Sequence, residues 1–297
     1  MNRWNRWLVL SLAGASACGA ESPCDGNKVW EWSSSDNRVA SQRGQQALEI
    51  NPDKWQHLQS CSFVLHFANK GVALRIAQEA EFYLSKIRED LELTNLDPKR
   101  RSHIFIFESE EDWKTFTNSA TIDPWTGGFF DGLDLFYWRR TGMRILHSDQ
   151  TLPHELAHRV LYDKFPSRAI PLALNEGFAE YEARKLAFRY LRPRGYDVKV
   201  ISKRVPREQF IPAEKLVAMM RYPDGDENVK AFYDLSERLV NLLIENHSPG
   251  KFRDLLQALA EGQTFSLALL KTYAGEYTSM DRFEQTFEEY AVLENSK

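Results

Sequence analysis

Two histidines four residues apart, with a glutamate directly after the first, constrain this 297-residue chain more than any other feature: Leu152-Pro153-His154-Glu155-Leu156-Ala157-His158. Four residues make about one helical turn, so on a helix both imidazoles face the same way. Two neutral imidazoles on one face can hold a zinc ion, and Glu155 is placed to reach a water bound to that metal. The competing reading is an ordinary amphipathic helix whose histidines are merely polar. Thr151 is suited to the N-cap of such a helix, and Pro153 fits its first turn, where a missing N–H costs nothing.

Hydrolytic zinc keeps three protein ligands and leaves a fourth position for water, and two histidines with a glutamate form one recognised set. The segment Leu174-Asn175-Glu176-Gly177-Phe178-Ala179-Glu180-Tyr181 supplies a carboxylate after the seventeen residues 159–175, and Glu176 is the expected third ligand. A second helix is predicted from near Pro171 to before Pro193. On it Glu180 follows Glu176 by one turn and faces the same region. Metal-bound histidines donate their second ring N–H to a carboxylate or carbonyl, which makes Glu180 a candidate for that supporting role; the alternative is a solvated surface glutamate. His147, seven residues before His154, reads as a loop histidine rather than a ligand, because the set is complete without it.

These residues resemble those of the gluzincin metallopeptidases, in which a helix bearing H-E-x-x-H is followed by a second helix that supplies a glutamate. The string Asn-Glu-Gly-Phe-Ala-Glu at 175–180 looks like the signature around that glutamate in the aminopeptidase branch. That branch has one residue more in the gap and a Gly-x-Met-Glu-Asn stretch that this chain lacks. The closer resemblance is to the peptidase MA-like group, from about Cys61 to the C-terminus. It implies an α+β, zincin-like fold: a small N-terminal mixed sheet with helices, then a mainly helical lobe, with the active-site cleft between. It further implies that Tyr233, in Tyr233-Asp234-Leu235-Ser236, lies on the helix closing the site and donates to a developing oxyanion. A core tyrosine is the alternative reading of Tyr233, and Tyr222 and His247 are lesser candidates. By the same resemblance, the strand just before the metal helix would lie along the cleft and pair with extended substrate through the unpaired backbone groups of an edge strand.

At the start of the chain, Arg3 and Arg6 precede an apolar, small-residue run from Trp7 to Ala17. This reads as an export signal over residues 1–20, too short to span a bilayer as a mature helix. Cleavage after Ala17 would leave Cys18 as a lipid-anchor site, as in a bacterial lipoprotein; cleavage after Ala20 would release a free protein, the favoured outcome. Cys24 and Cys61 then remain as a pair able to form one disulfide in an oxidising compartment, or two separate thiols. The formal net charge of −4 carries no nucleic-acid footprint, and no run of about 20 apolar residues marks a membrane span.

Residues 21–58 are polar and read as an irregular lead-in. Residues 59–150 form an α+β lobe, with strands at 61–67, 103–107 and 133–138, a long helix after Gly71 and a helix starting at Ser109. Asp123 to Gly128 reads as a loop. Residues 151–297 form the helical zinc-binding lobe, with helices near 212–220, 232–243, 251–260, 265–273 and 282–293; together 59–297 make one catalytic unit. Between 184 and 207 basic residues heavily outnumber the one acid, Asp197; the stretch is either a solvated face or a binder of anionic groups.

The expected function is that of an exported zinc metallopeptidase acting on a peptide or protein, with Glu155 as general base. The alternative is an exported zinc-containing binding or assembly protein with little peptidase activity. A purely structural zinc site is disfavoured, since such sites are four-coordinate and cysteine-rich and no cysteine lies near 154–180.

Overall fold

The computed structural model describes residues 29–31, 40–93, 101–120, 122, 126–139, 150–165, 169–191, 193 and 204–293. The expected export signal at 1–20, Cys18, Cys24, His147 and most of the basic stretch after Arg189 lie outside the described residues.

Strands β3 (Phe63–Phe67) and β4 (Ser102–Phe107) are buried along their whole length. Such strands need cover on both faces. Their alternation divides the cover in two. Phe63, Leu65, Phe67, Ile104 and Ile106 join the large core, whereas Phe105 and Phe107 turn to a smaller aromatic cluster with Trp113, Phe116 and Phe136. The sheet has six strands in the order β1-β2-β3-β4-β6-β5, with β1 at Trp30–Glu31, β2 at Gln56–Gln59, β5 at Gly128–Phe130 and β6 at Leu135–Trp138. The central pairs β3–β4 and β4–β6 are parallel; the outer pairs are antiparallel.

Helix α2 (Lys70–Asp90) joins β3 to β4, and Asn69 caps it by accepting the backbone N–H groups of Gly71 and Val72. Its buried stripe of Val72, Ile76, Ala80, Tyr83, Leu84 and Ile87 covers the large-core face. Helices α1 (Gln42–Glu49) and α3 (Glu110–Ser119) serve the other face, where Ala47, Trp113 and Phe116 meet the aromatic strand residues. Ser109 caps α3, and three acids occupy its first turn, where the helix dipole favours them.

The chain then becomes helical: α4 (Thr151–Lys164), α5 (Leu172–Leu191), α6 (Ala213–Ala218), α7 (Asp226–Glu245), α8 (Pro249–Ala260), α9 (Phe265–Thr272) and α10 (Met280–Ala291). The class is α+β with a helical C-terminal part. One apolar core runs from the sheet through α2 and α4 into these helices. Among the described residues no helix is long and apolar enough to cross a membrane.

Three expectations need correction. The polar lead-in contains β1, α1, a 3-10 turn at Pro52–Lys54 and most of β2. Helix α1 carries no apolar stripe because its buried positions are Gly44 and Ala47, small residues that let it sit close to Phe105. The strand before the metal helix, β6, is not an edge strand: β5 pairs on its outer side and is itself the edge. Thr151 is the first helical residue rather than the cap, and Gln150 before it makes no side-chain capping bond.

Candidate metal centre

Helices α4 and α5 bring the site together. On α4, one turn separates His154 from His158, and their Nε2 atoms lie 3.1 Å apart. From α5, Glu176 Oε2 lies 3.4 Å from His154 Nε2 and 3.7 Å from His158 Nε2. Zinc bonds of about 2.0–2.2 Å in a tetrahedron separate the ligand atoms by about 3.3–3.6 Å, so the three distances straddle the value a metal requires. The imidazoles are half-buried and Glu176 is buried.

The donor chemistry fits as well. His154 Nδ1 lies 3.2 Å from Glu180 Oε1, and His158 Nδ1 lies 3.1 Å from Asn175 Oδ1. Each partner can accept a ring N–H, and in that tautomer the Nε2 lone pair turns inward. Two nitrogen lone pairs and a carboxylate oxygen then face one another, an arrangement that could hold a metal ion at its centre. The same carboxylates also favour positive charge on the imidazole itself. Burial acts to lower the His154 pKa, but the hydrogen bonds to Glu176 and Glu180 and the charge of Glu155 overcome it and hold it well above the usual value. Burial acts to raise Glu176, yet the charge of His158, the bond from His154 and that from Tyr222 bring it down to about 2. Glu180 is also lowered: burial opposes the shift, and the bond to His154 and the charge of Arg184 carry it.

Glu155 is 9% exposed. Burial raises its carboxyl, partly offset by the charges of His154 and His158 and by the Phe130 backbone N–H of edge strand β5. The edge strand comes this close because Gly128 has no side chain: a Cβ there would stand 2.7 Å from both Phe136 O and Thr151 Cγ2. Gly177, next to Glu176, has a parallel role. A Cβ on it would lie 2.2 Å from the Ser236 carbonyl oxygen, so α5 and α7 cross in backbone contact at the ligand.

That crossing carries α7 residues toward the site. The Tyr233 ring stacks on Tyr222, with centroids 5.7 Å apart. Burial first, then the charge of Glu176, pushes its hydroxyl up to about 12 against a hydrogen bond with Tyr222 that acts to lower it, and the charges of Glu180 and Glu155 also raise it. Tyr222, a lesser candidate by sequence, donates its hydroxyl to Glu176 Oε1 at 2.7 Å. His247 is elsewhere: its Nε2 meets the Tyr277 hydroxyl at 2.9 Å, at the far end of α7. Four of the five described cations of the basic stretch are paired, Arg184 with Glu237 and Asp234, Lys185 and Arg189 with Asp90, and Arg207 with Glu288; the fifth, Arg204, is exposed. Those four are committed to neighbouring acids.

Sequence reasoning brought His154, Glu155, His158, Glu176, Glu180 and Tyr233 to this region. It missed Asn175, although Asn175 sits beside Glu176 in the same string, and it assigned no contact with the ligand set to Tyr222. No protein-family model matches the chain, and no curated protein matches it.

Proposed function

We propose that the chain is an exported, zinc-dependent metallopeptidase on a zincin-like fold, with His154, His158 and Glu176 as metal ligands and a peptide or protein as substrate. The observation that carries this reading is the convergence of three inward-facing donor atoms at tetrahedral spacing, with the buried carboxyl of Glu155 beside them. Zinc bound there supplies a Lewis acid and lowers the pKa of a water molecule to about 7.

The chain's own groups do the rest. Glu155 takes the proton of the attacking water and passes it to the departing amine. Its upward shift suits the first half of that task, because a carboxylate with a raised pKa is the stronger base. Tyr233 keeps its proton at neutral pH and is a donor for the oxyanion that forms on the scissile carbonyl. Glu180 and Asn175 hold the two imidazoles in register. The edge strand β5, beside Glu155, offers backbone groups to an extended substrate. Cys61 is disulfide-bonded, which together with the apolar run at 7–17 supports an oxidising, exported location.

A peptide library incubated with the zinc-loaded full chain tests the reading. Cleavage that a chelator abolishes and added zinc restores is the expected outcome. A library left uncut under every condition would favour a binding protein instead.

A further inference from the structure

Glu176 has two carboxylate oxygens and uses them differently. Oε2 faces the imidazole nitrogens, whereas Oε1 accepts the Tyr222 hydroxyl at 2.7 Å. Tyr222 lies in the loop between α6 and α7, 46 residues from Glu176 in sequence. Its ring is held from two sides, edge-on against fully buried Phe232 with centroids 5.6 Å apart and stacked on Tyr233. The hydroxyl is therefore set in place by packing on α7 rather than by Glu176 alone. A tyrosine has one proton to donate, and here Glu176 receives it.

We propose that Tyr222 is a positioning residue for the metal centre: by occupying Glu176 Oε1 it holds the carboxylate as a one-oxygen ligand through Oε2. This rests on the metal-centre reading above. The consequence is chemical. A carboxylate free to turn presents both oxygens to the cation, filling the space that a hydrolytic site leaves for water and substrate. A carboxylate with one oxygen already bonded presents only the other. Tyr222 thus spends its proton on a ligand, and its hydroxyl oxygen is left to accept the hydroxyl of Tyr233, with which it is also hydrogen-bonded.

Tyr222→Phe removes only the hydroxyl and leaves the ring on Phe232 and Tyr233. The full chain and this variant are stripped of metal, and zinc affinity is measured by competition with a chromophoric chelator. The expected result is a loss of about tenfold in affinity, with an altered visible spectrum when cobalt(II) replaces zinc and an unchanged unfolding midpoint of the metal-free protein. Equal zinc affinity with superimposable cobalt spectra would overturn the proposal. If the variant also loses metal-free stability, the cobalt spectrum of its folded fraction decides: unchanged overturns, altered supports. A wild-type chain that takes up no zinc would fail the metal-centre reading itself, and that failure is visible without the variant.

Discussion

Glu180 Oε1 lies 3.2 Å from Nδ1 of His154, a contact that leaves Nε2 as the nitrogen facing Glu176 and His158. Arg184 stands behind it, 3.7 Å from Glu180 Oε2 and 3.1 Å from Glu237 Oε2, so the carboxylate that steers the imidazole is itself held by an α5–α7 ion pair. Glu180→Ala removes the steering and leaves Arg184 its Asp234 and Glu237 partners. Zinc affinity is expected to fall by about 10–100-fold, measured by chelator competition, with the metal-free fold retained. Affinity equal to wild type would make Glu180 a bystander.

The glycine beside the ligand glutamate is steric in origin. With Ser236 O only 2.2 Å from where a Cβ would stand at Gly177, and Ser236 C at 2.5 Å, no side-chain rotation relieves the clash. Gly177→Ala must push α5 and α7 apart. A destabilisation of about 1–3 kcal/mol or more is expected in denaturant unfolding, together with weaker zinc binding as Glu176 shifts. A variant as stable as wild type would show that the crossing is loose.

A chain of three imidazoles ties β2, β3 and β4 together away from the metal centre. His57 Nδ1 lies 2.8 Å from His66 Nδ1, and His66 Nε2 lies 2.7 Å from His103 Nδ1. Burial, then the neighbouring His103, holds His66 well below the usual histidine value, and His57 is lowered by the same causes. A folded-state pKa below the unfolded one means that the unfolded chain binds more protons as pH drops beneath 6.5. The stability due to His66 is thus complete above that pH and declines below it, by up to about 1.4 kcal/mol per pH unit for one proton. His66→Gln can still donate and accept but does not titrate. The stability gap between wild type and variant is expected to narrow from pH 7.5 to about 5.5, and a constant gap in denaturant titrations would contradict the burial of a neutral imidazole.

What could be read from the sequence was whatever one element encodes by itself. The periodicity of α2 and α7, the strand at His103–Phe107 and the helical spacings of His154 with His158 and of Glu176 with Glu180 are local patterns, and the structure has those elements in place. Contacts between distant segments left no such pattern. Tyr222 meets Glu176 only because α6 and α7 return to α5. Strand β5 has three residues, too few to alternate, and its character comes from pairing with β6. The polarity of Gln56-His57-Leu58-Gln59 disguised β2, whose His57 is matched by His66 across the pair. Asn175 was overlooked for a different reason: its neighbour Glu176 drew the metal argument, although position 175 is where an amide oxygen reaches the second ring nitrogen of His158.

Glu155 separates the binding of a metal from its use. The Glu155→Gln protein, loaded with zinc and assayed on the peptides that wild type cuts, should hold one zinc per chain as wild type does and lose turnover by about 100-fold or more. Peptide hydrolysis at the wild-type rate by the zinc-loaded variant would contradict the role given to Glu155 and the mechanism built on it.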